Sequence, residues 1–155
     1  MAKTTRDTFT NPNGSNYRQA QDLDLDILQP KLERIGISTI KIEQHWRHVT
    51  GTVLYQGQKY FFKMASTKGV GIKTKNEVLW NNFISSANPD SSLRIPKIYK
   101  TGKLNNLYYY LAEFVDGQSL SESLNHDDLQ PILDSISRFA AFTSKSKFSV
   151  PTIRR

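Results

Sequence analysis

Apolar and polar positions follow two different rhythms along this chain. Ile37, Ile40 and Ile42 open a run rich in β-branched residues, Gly51-Thr-Val-Leu-Tyr-Gln forms a second, and Lys59-Tyr-Phe-Phe-Lys-Met-Ala a third. Short β-prone runs punctuated by glycine read as strands, and Gly57-Gln58 predicts a tight antiparallel turn between the last two. Residues 66–72, with Gly69 and Gly71, read as a loop. Val78, Leu79, Trp80, Phe83 and Ile84 then recur at helical spacing, predicting an amphipathic helix over residues 73–86. A Pro/Asn/Ser stretch leads into a strand over residues 94–102, Asn105-Asn106 makes a turn, and Leu107 to Val115 is strongly β-prone until Asp116-Gly117 breaks it. Leu129, Ile132, Leu133, Ile136, Phe139, Ala140 and Phe142 predict a long helix capped by Asp127 or Asp128.

The N-terminal part is quieter. Residues 1–20 are rich in Thr, Asn, Ser and Gly and poor in apolar side chains, so they read as a flexible arm. Pro30 suits a first helical turn, which predicts a short helix from Pro30 to Ile35, ended by Gly36 and burying Ile27, Leu32 and Ile35. The order is helix, three strands, helix, two strands, helix. Antiparallel hairpins around one inserted helix predict an α+β fold: a five-stranded antiparallel sheet with one packed helix, flanked by an N-terminal helix and a long C-terminal one.

Composition narrows the classes. The 155 residues are 37% hydrophobic and 23% charged, enough apolar material for a core of about one domain. Cysteine is absent, which excludes disulfide scaffolds, Cys-ligated zinc, iron–sulfur clusters and thiol nucleophiles. No apolar run approaches the ~20 residues that span a bilayer, and Met1 to Ala20 lacks the apolar stretch of a secretory signal. The expectation is a soluble, cytoplasmic protein without a membrane partner.

The 21 Lys and Arg against 14 Asp and Glu leave a net charge of +7. The cations are scattered, with crowding only at Lys59, Lys63, Lys68, Lys73 and Lys75, so a solvated basic surface is preferred over a dedicated polyanion site. One alternative is a non-catalytic basic module in which Tyr55, Tyr60, Phe62, Tyr108 and Tyr110 stack on single-stranded nucleic acid. No strand carries the RNP-type pattern, which makes a nucleic-acid partner the weaker reading.

Two features bear on chemistry. Gly69, Gly71 and Lys73-Thr74 lie between a strand and a helix, as a phosphate-binding loop does, but Ile72 separates Gly71 from Lys73 where the motif needs them adjacent. An ordinary loop is the better reading. Lys63 is more informative. It sits inside an apolar strand, where an ammonium group needs water or a partner, and Glu77 follows fourteen residues later in the next helix. Protein kinases use such a pair, a third-strand lysine on the nucleotide phosphates held by a helix glutamate.

Phe62-Lys63-Met64, Asn76-Glu77-Val78-Leu79, Ile95-Pro96-Lys97-Ile98 and Leu111-Ala-Glu-Phe-Val-Asp-Gly117 occur in one order over roughly residues 37–145. In these segments the chain resembles the aminoglycoside phosphotransferase and choline kinase family, a branch of the protein-kinase-like fold. The resemblance implies a kinase-like N-lobe with hinge over residues 21–117, followed at 118–155 by the linker and first long helix of a C-lobe. It implies an ATP site in which Lys63 touches the α/β-phosphates and Glu77 orients it. Ala112 would stand behind the adenine, the Glu113 carbonyl and Val115 amide would bond it, and Phe61 would be the aromatic platform beneath it.

The chain departs from that family in two places. No glycine-rich loop separates the first two strands of the lobe; Gln44 to Thr50 takes its place. His126-Asp127-Asp128 does not supply the catalytic His-x-Asp with a later Asn, because Leu133 stands five residues beyond Asp128. The resemblance therefore implies an ATP-binding lobe cut before its catalytic loop, with no catalytic residue of its own. Its parent would phosphorylate a hydroxyl of a small molecule, and the Mg²⁺ ligands would lie in the absent C-lobe.

Overall fold

A computed structural model of the chain describes residues 5–10, 16–87, 94–117 and 129–145. Within them lie a two-stranded ribbon of β1 (Thr5–Thr10) and β2 (Asn16–Gln21), helix α1 (Leu25–Glu33), strands β3 (Ile37–His45), β4 (His48–Tyr55) and β5 (Gln58–Ala65), helix α2 (Lys68–Ala87), strands β6 (Ile98–Leu104) and β7 (Leu107–Glu113), and helix α3 (Leu129–Lys145). The main sheet has five antiparallel strands in the order β3-β4-β5-β7-β6. The fold is α+β, as the pattern predicts.

Alternation along the strands divides the sheet into two faces. Tyr60, Phe62 and Met64 of β5 join Tyr109 and Leu111 of β7, Val49 and Val53 of β4, and Leu28 and Leu32 of α1 in the larger core. The opposite residues of the same strands, Phe61, Tyr108, Tyr110 and Ala112, pack with Val78 of α2. This second face carries the candidate chemistry. The split also places Tyr60 and Phe62 in the core, away from Tyr108 and Tyr110, so the five aromatics do not form one stacking surface.

Turn chemistry explains the hairpins. Gln56 and Gly57 have φ of 51° and 77°, and Asn105 and Asn106 have 51° and 64°. Two consecutive positive φ values give the twist that suits a two-residue hairpin, and glycine or asparagine adopts them at low cost. The β4–β5 turn is thus Gln56-Gly57, one residue earlier than expected. The β3–β4 turn is Trp46-Arg47, with Trp46 at φ 46° and the Arg47 guanidinium 3.7 Å from the centre of its ring. A tight turn therefore occupies the place where a nucleotide-covering loop was sought.

Four further expectations need correction. The flexible arm contains the β1–β2 ribbon, whose end is tied to the sheet: Ala20 is fully buried, the Gln21 N–H donates to Ser66 Oγ (3.4 Å), and Gln44 bonds both the Gln21 carbonyl and the Leu23 N–H (2.8 Å each). Helix α1 begins at Leu25 because Asp24 caps it, accepting from the Asp26 and Ile27 amides at 3.1 and 3.2 Å. The earlier start turns Leu28 and Leu32, one helical turn apart, into the core and leaves Ile27 and Ile35 exposed. Helix α2 begins at Lys68, where a loop was expected, since Thr67 Oγ1 accepts from the Val70 N–H at 3.2 Å. Gly71 is tolerated inside it because a Cβ there would already lie 3.4 Å from Tyr108 Cβ, so glycine lets helix and sheet approach closely. Finally, β6 begins at Ile98 and not at Arg94.

Helix α3 forms where expected and leaves Leu133, Ile136 and Phe139 exposed. The proposed cap at Asp127 or Asp128 lies outside the described residues. Among those residues no helix is long and apolar enough to cross a membrane.

Candidate functional site

Strand register places the lysine. Lys63 is paired across the ladder with Thr50 on one side and Tyr110 on the other, so its side chain emerges between β4 and β7 on the face covered by α2. Glu77 lies two and a half turns into α2 and meets it there. The Lys63 Nζ donates to both carboxylate oxygens of Glu77, at 2.9 and 2.8 Å. The pairing expected from sequence is present, with Lys63 largely covered and Glu77 about half open to solvent.

Two residues that sequence reasoning did not assign to this site complete the cluster. Tyr110 donates its hydroxyl to Glu77 Oε1 at 3.0 Å. Burial, and then the Glu77 charge and this bond, raise the Tyr110 hydroxyl above its ordinary range and keep it protonated as a donor. His48, on β4, bonds Thr74 Oγ1 through Nε2 at 3.1 Å. Thr74 spends its own proton on the Val70 carbonyl (3.0 Å), so it accepts from His48 and fixes the Nε2–H form. Burial, with repulsion from Lys63 next, lowers the His48 pKa to about 4 and leaves the ring neutral. Alternation alone could have found Tyr110, which shares a face with Ala112 two residues on. Nothing in the sequence pattern marked His48.

Beside this cluster opens a pocket of about 320 Å³. Phe61, Glu77, Ala112, Glu113 and Val115 line it, with Asn81 from the next turn of α2. Five of the six expected site residues, Phe61, Glu77, Ala112, Glu113 and Val115, thus share one cavity, and the sixth, Lys63, is ion-paired to Glu77 in its wall. Phe61 faces the same way as Lys63, its ring 6.4 Å from that of Tyr110, and it also borders a smaller cavity toward Thr50 and Thr52. The Asn81 amide oxygen has no hydrogen-bond partner among the described residues.

The end of β7 is held from outside the pocket. The Glu113 N–H donates to the Lys97 carbonyl at 2.8 Å, and its carboxylate accepts from the Arg94 guanidinium and the Lys97 N–H. Arg94 first, and then the Lys97 amide, hold the Glu113 carboxyl below its usual pKa. The side chain of Glu113 is thereby committed to residues 94–97, while Phe114 to Gly117 continue without regular structure and with Val115 exposed. His126-Asp127-Asp128 lies outside the described residues.

An apolar wall, an aromatic platform and a fixed cation at the rim can hold a flat, polar ring joined to an anion. In comparison with known proteins, no family model matches the chain, and no curated protein matches it.

Proposed function

We propose that this chain is the ATP-binding N-terminal lobe, with hinge, of a phosphotransferase resembling the aminoglycoside phosphotransferase and choline kinase family. The observation that carries this reading is the Lys63–Glu77 pair at the edge of the pocket lined by Phe61, Ala112, Glu113 and Val115. The lysine stands on the third strand of the sheet and the glutamate on the helix that follows, the placement kinases use to hold nucleotide phosphates.

The residues fit the group. Phe61 offers a ring face for adenine, the backbone from Glu113 to Val115 offers the polar edge, and Lys63 stands where the phosphates would emerge. At about 320 Å³ the pocket is near the lower end of ligand sites, roughly 300–1,000 Å³, as expected for half of a cleft. Bound ATP would supply the transferable γ-phosphoryl group. Within this chain, Glu77 and Tyr110 would position Lys63, and Lys63 would neutralise charge on the α/β-phosphates. The base, the Mg²⁺ ligands and the small-molecule hydroxyl acceptor would belong to a second lobe, so this chain alone would not turn over.

The test is an NMR titration of the 155-residue protein with ATP. With one wall of the cleft supplied, affinity on the order of millimolar is expected, equivalent to about −4 kcal/mol. Amides of Phe61, Lys63 and Val115 should shift together, with little change along α3. Shifts absent from Phe61 and Val115, or reproduced in full by inorganic triphosphate, would remove the hinge assignment.

A further inference from the structure

A second cavity, larger than the Lys63 pocket, lies elsewhere. It measures about 470 Å³ and opens between the start of α2 and the β6–β7 hairpin, lined by Lys68, Ile72, Lys75, Lys103, Asn106 and Tyr108. Two of the lysines crowded in the sequence, Lys68 and Lys75, are seven residues apart on α2, two turns along one helix face. Lys103 is brought in by the hairpin, where it pairs across the ladder with Tyr108. Tyr108 stands where α2 and β7 approach most closely, against Gly71. Three lysines from two elements therefore line the same cavity as one half-buried aromatic residue.

No carboxylate lines this cavity, and none of the three lysines forms an ion pair among the described residues. Three other cations do have carboxylate partners: Lys63 with Glu77, Arg94 with Glu113 and Lys41 with Glu43. The first turn of α2 adds the partial positive charge of a helix N-terminus to the same rim. Asn106 adds an uncharged polar side chain to the lining.

We propose that this cavity is a binding site for a small, free, multiply charged phosphate anion, separate from the Lys63 pocket. Its size suits a compact ligand carrying two or more phosphates, which the three lysines contact at once. Both pockets lie on the same face of the sheet: Tyr108 lines one, and Tyr110, two residues on, lines the other. The anion site engages the first two turns of the helix that presents Glu77 further along.

Pyrophosphate is the probe, titrated into the full chain and followed by amide shifts and calorimetry. Shifts should centre on Ile72, Asn106 and Tyr108, and persist in Lys63→Met. Lys68→Gln, Lys75→Gln and Lys103→Gln together should weaken binding by about tenfold or more, whereas Lys31→Gln, Lys59→Gln and Lys73→Gln, removing equal charge outside the cavity, should weaken it less than about threefold. These side chains lie outside the core, and thermal unfolding of both triple variants confirms that each is folded. Equal weakening by both triples, or shifts confined to Phe61 and Val115, would overturn the proposal. So would a single-stranded oligonucleotide that displaces pyrophosphate and shifts residues across both sheet faces. Failure of ATP to reach the hinge would leave the pyrophosphate result intact, so the two readings fail separately.

Discussion

Tyr110 and Lys63 bond the same carboxylate oxygen of Glu77, at 3.0 and 2.9 Å. One strand and its neighbour thus hold a helix residue from two directions, and the helix cannot rotate without breaking both contacts. Tyr110→Phe removes one of them while keeping the ring. Because the acceptor is charged but half open to water, the loss should be about 1 kcal/mol in urea denaturation. An unchanged denaturation midpoint would show that water replaces the tyrosine hydroxyl at no cost.

Phe61 should separate ligand binding from stability. Its ring is only partly buried and borders two cavities, so truncation removes little of the core. Stacking of a base on an aromatic is worth about 1–3 kcal/mol. Phe61→Ala is expected to lower ATP affinity by about tenfold and Phe61→Trp to retain it, as read from the NMR shifts at Val115. Equal loss in both would assign Phe61 to packing alone.

His48 gives a pH dependence whose sign follows from its burial. Its folded pKa is near 4 against an ordinary 6.5, so the unfolded chain takes up a proton that the native chain refuses. The contribution is full above about 6.5 and is lost as pH falls toward 4. Allowing for partial solvent screening, about 1–2 kcal/mol is at stake. His48→Gln, which can still donate to Thr74, should lose less stability than wild type between pH 7 and pH 5. Parallel losses in the two proteins would mean that other groups dominate.

Gly51 is paired with Ile42 beside the bulge between Thr39 and Lys41. A Cβ at Gly51 would collide with the Lys41 carbonyl oxygen and lie 2.7 Å from Ile42 Cα. Backbone atoms cannot give way as a side chain can. Gly51→Ala should therefore cost about 3 kcal/mol, measured as a drop in unfolding temperature. A variant as stable as wild type would show that the bulge shifts to admit the methyl group.

How much of this was legible in the sequence depends on where the controlling interaction lies. The five main strands announced themselves because β-branched and aromatic runs meet turn residues at short range. Lys63 and Glu77 were legible because an ammonium in an apolar strand demands a partner. The β1–β2 ribbon was not, because residues 5–10 and 16–21 carry few apolar side chains and are anchored through distant groups, Ser66 and Gln44. The start of α2 was hidden for a related reason. Gly69 and Gly71 look like a loop until Tyr108, thirty-seven residues from Gly71, is seen packed against the helix. His48 acquires its character only from the Thr74 and Lys63 that tertiary structure brings to it.

The strand order leaves β3 and β6 as the borders of the sheet. Among the described residues no further strand pairs with the outer side of either, and such an edge is where a strand from another molecule would add. The borders are protected differently. β3 carries Lys41 and Glu43, both exposed, and the bulge between Thr39 and Lys41 breaks its regular spacing. β6 carries Lys100 and Lys103 and has its own irregularity between Ile98 and Lys100. Charge and broken register are the two devices that discourage edge-to-edge aggregation. The lysine proposed to hold a phosphate anion, Lys103, is thus also a guard on this border, and neutralising it for the binding test should make the protein more prone to self-association at high concentration.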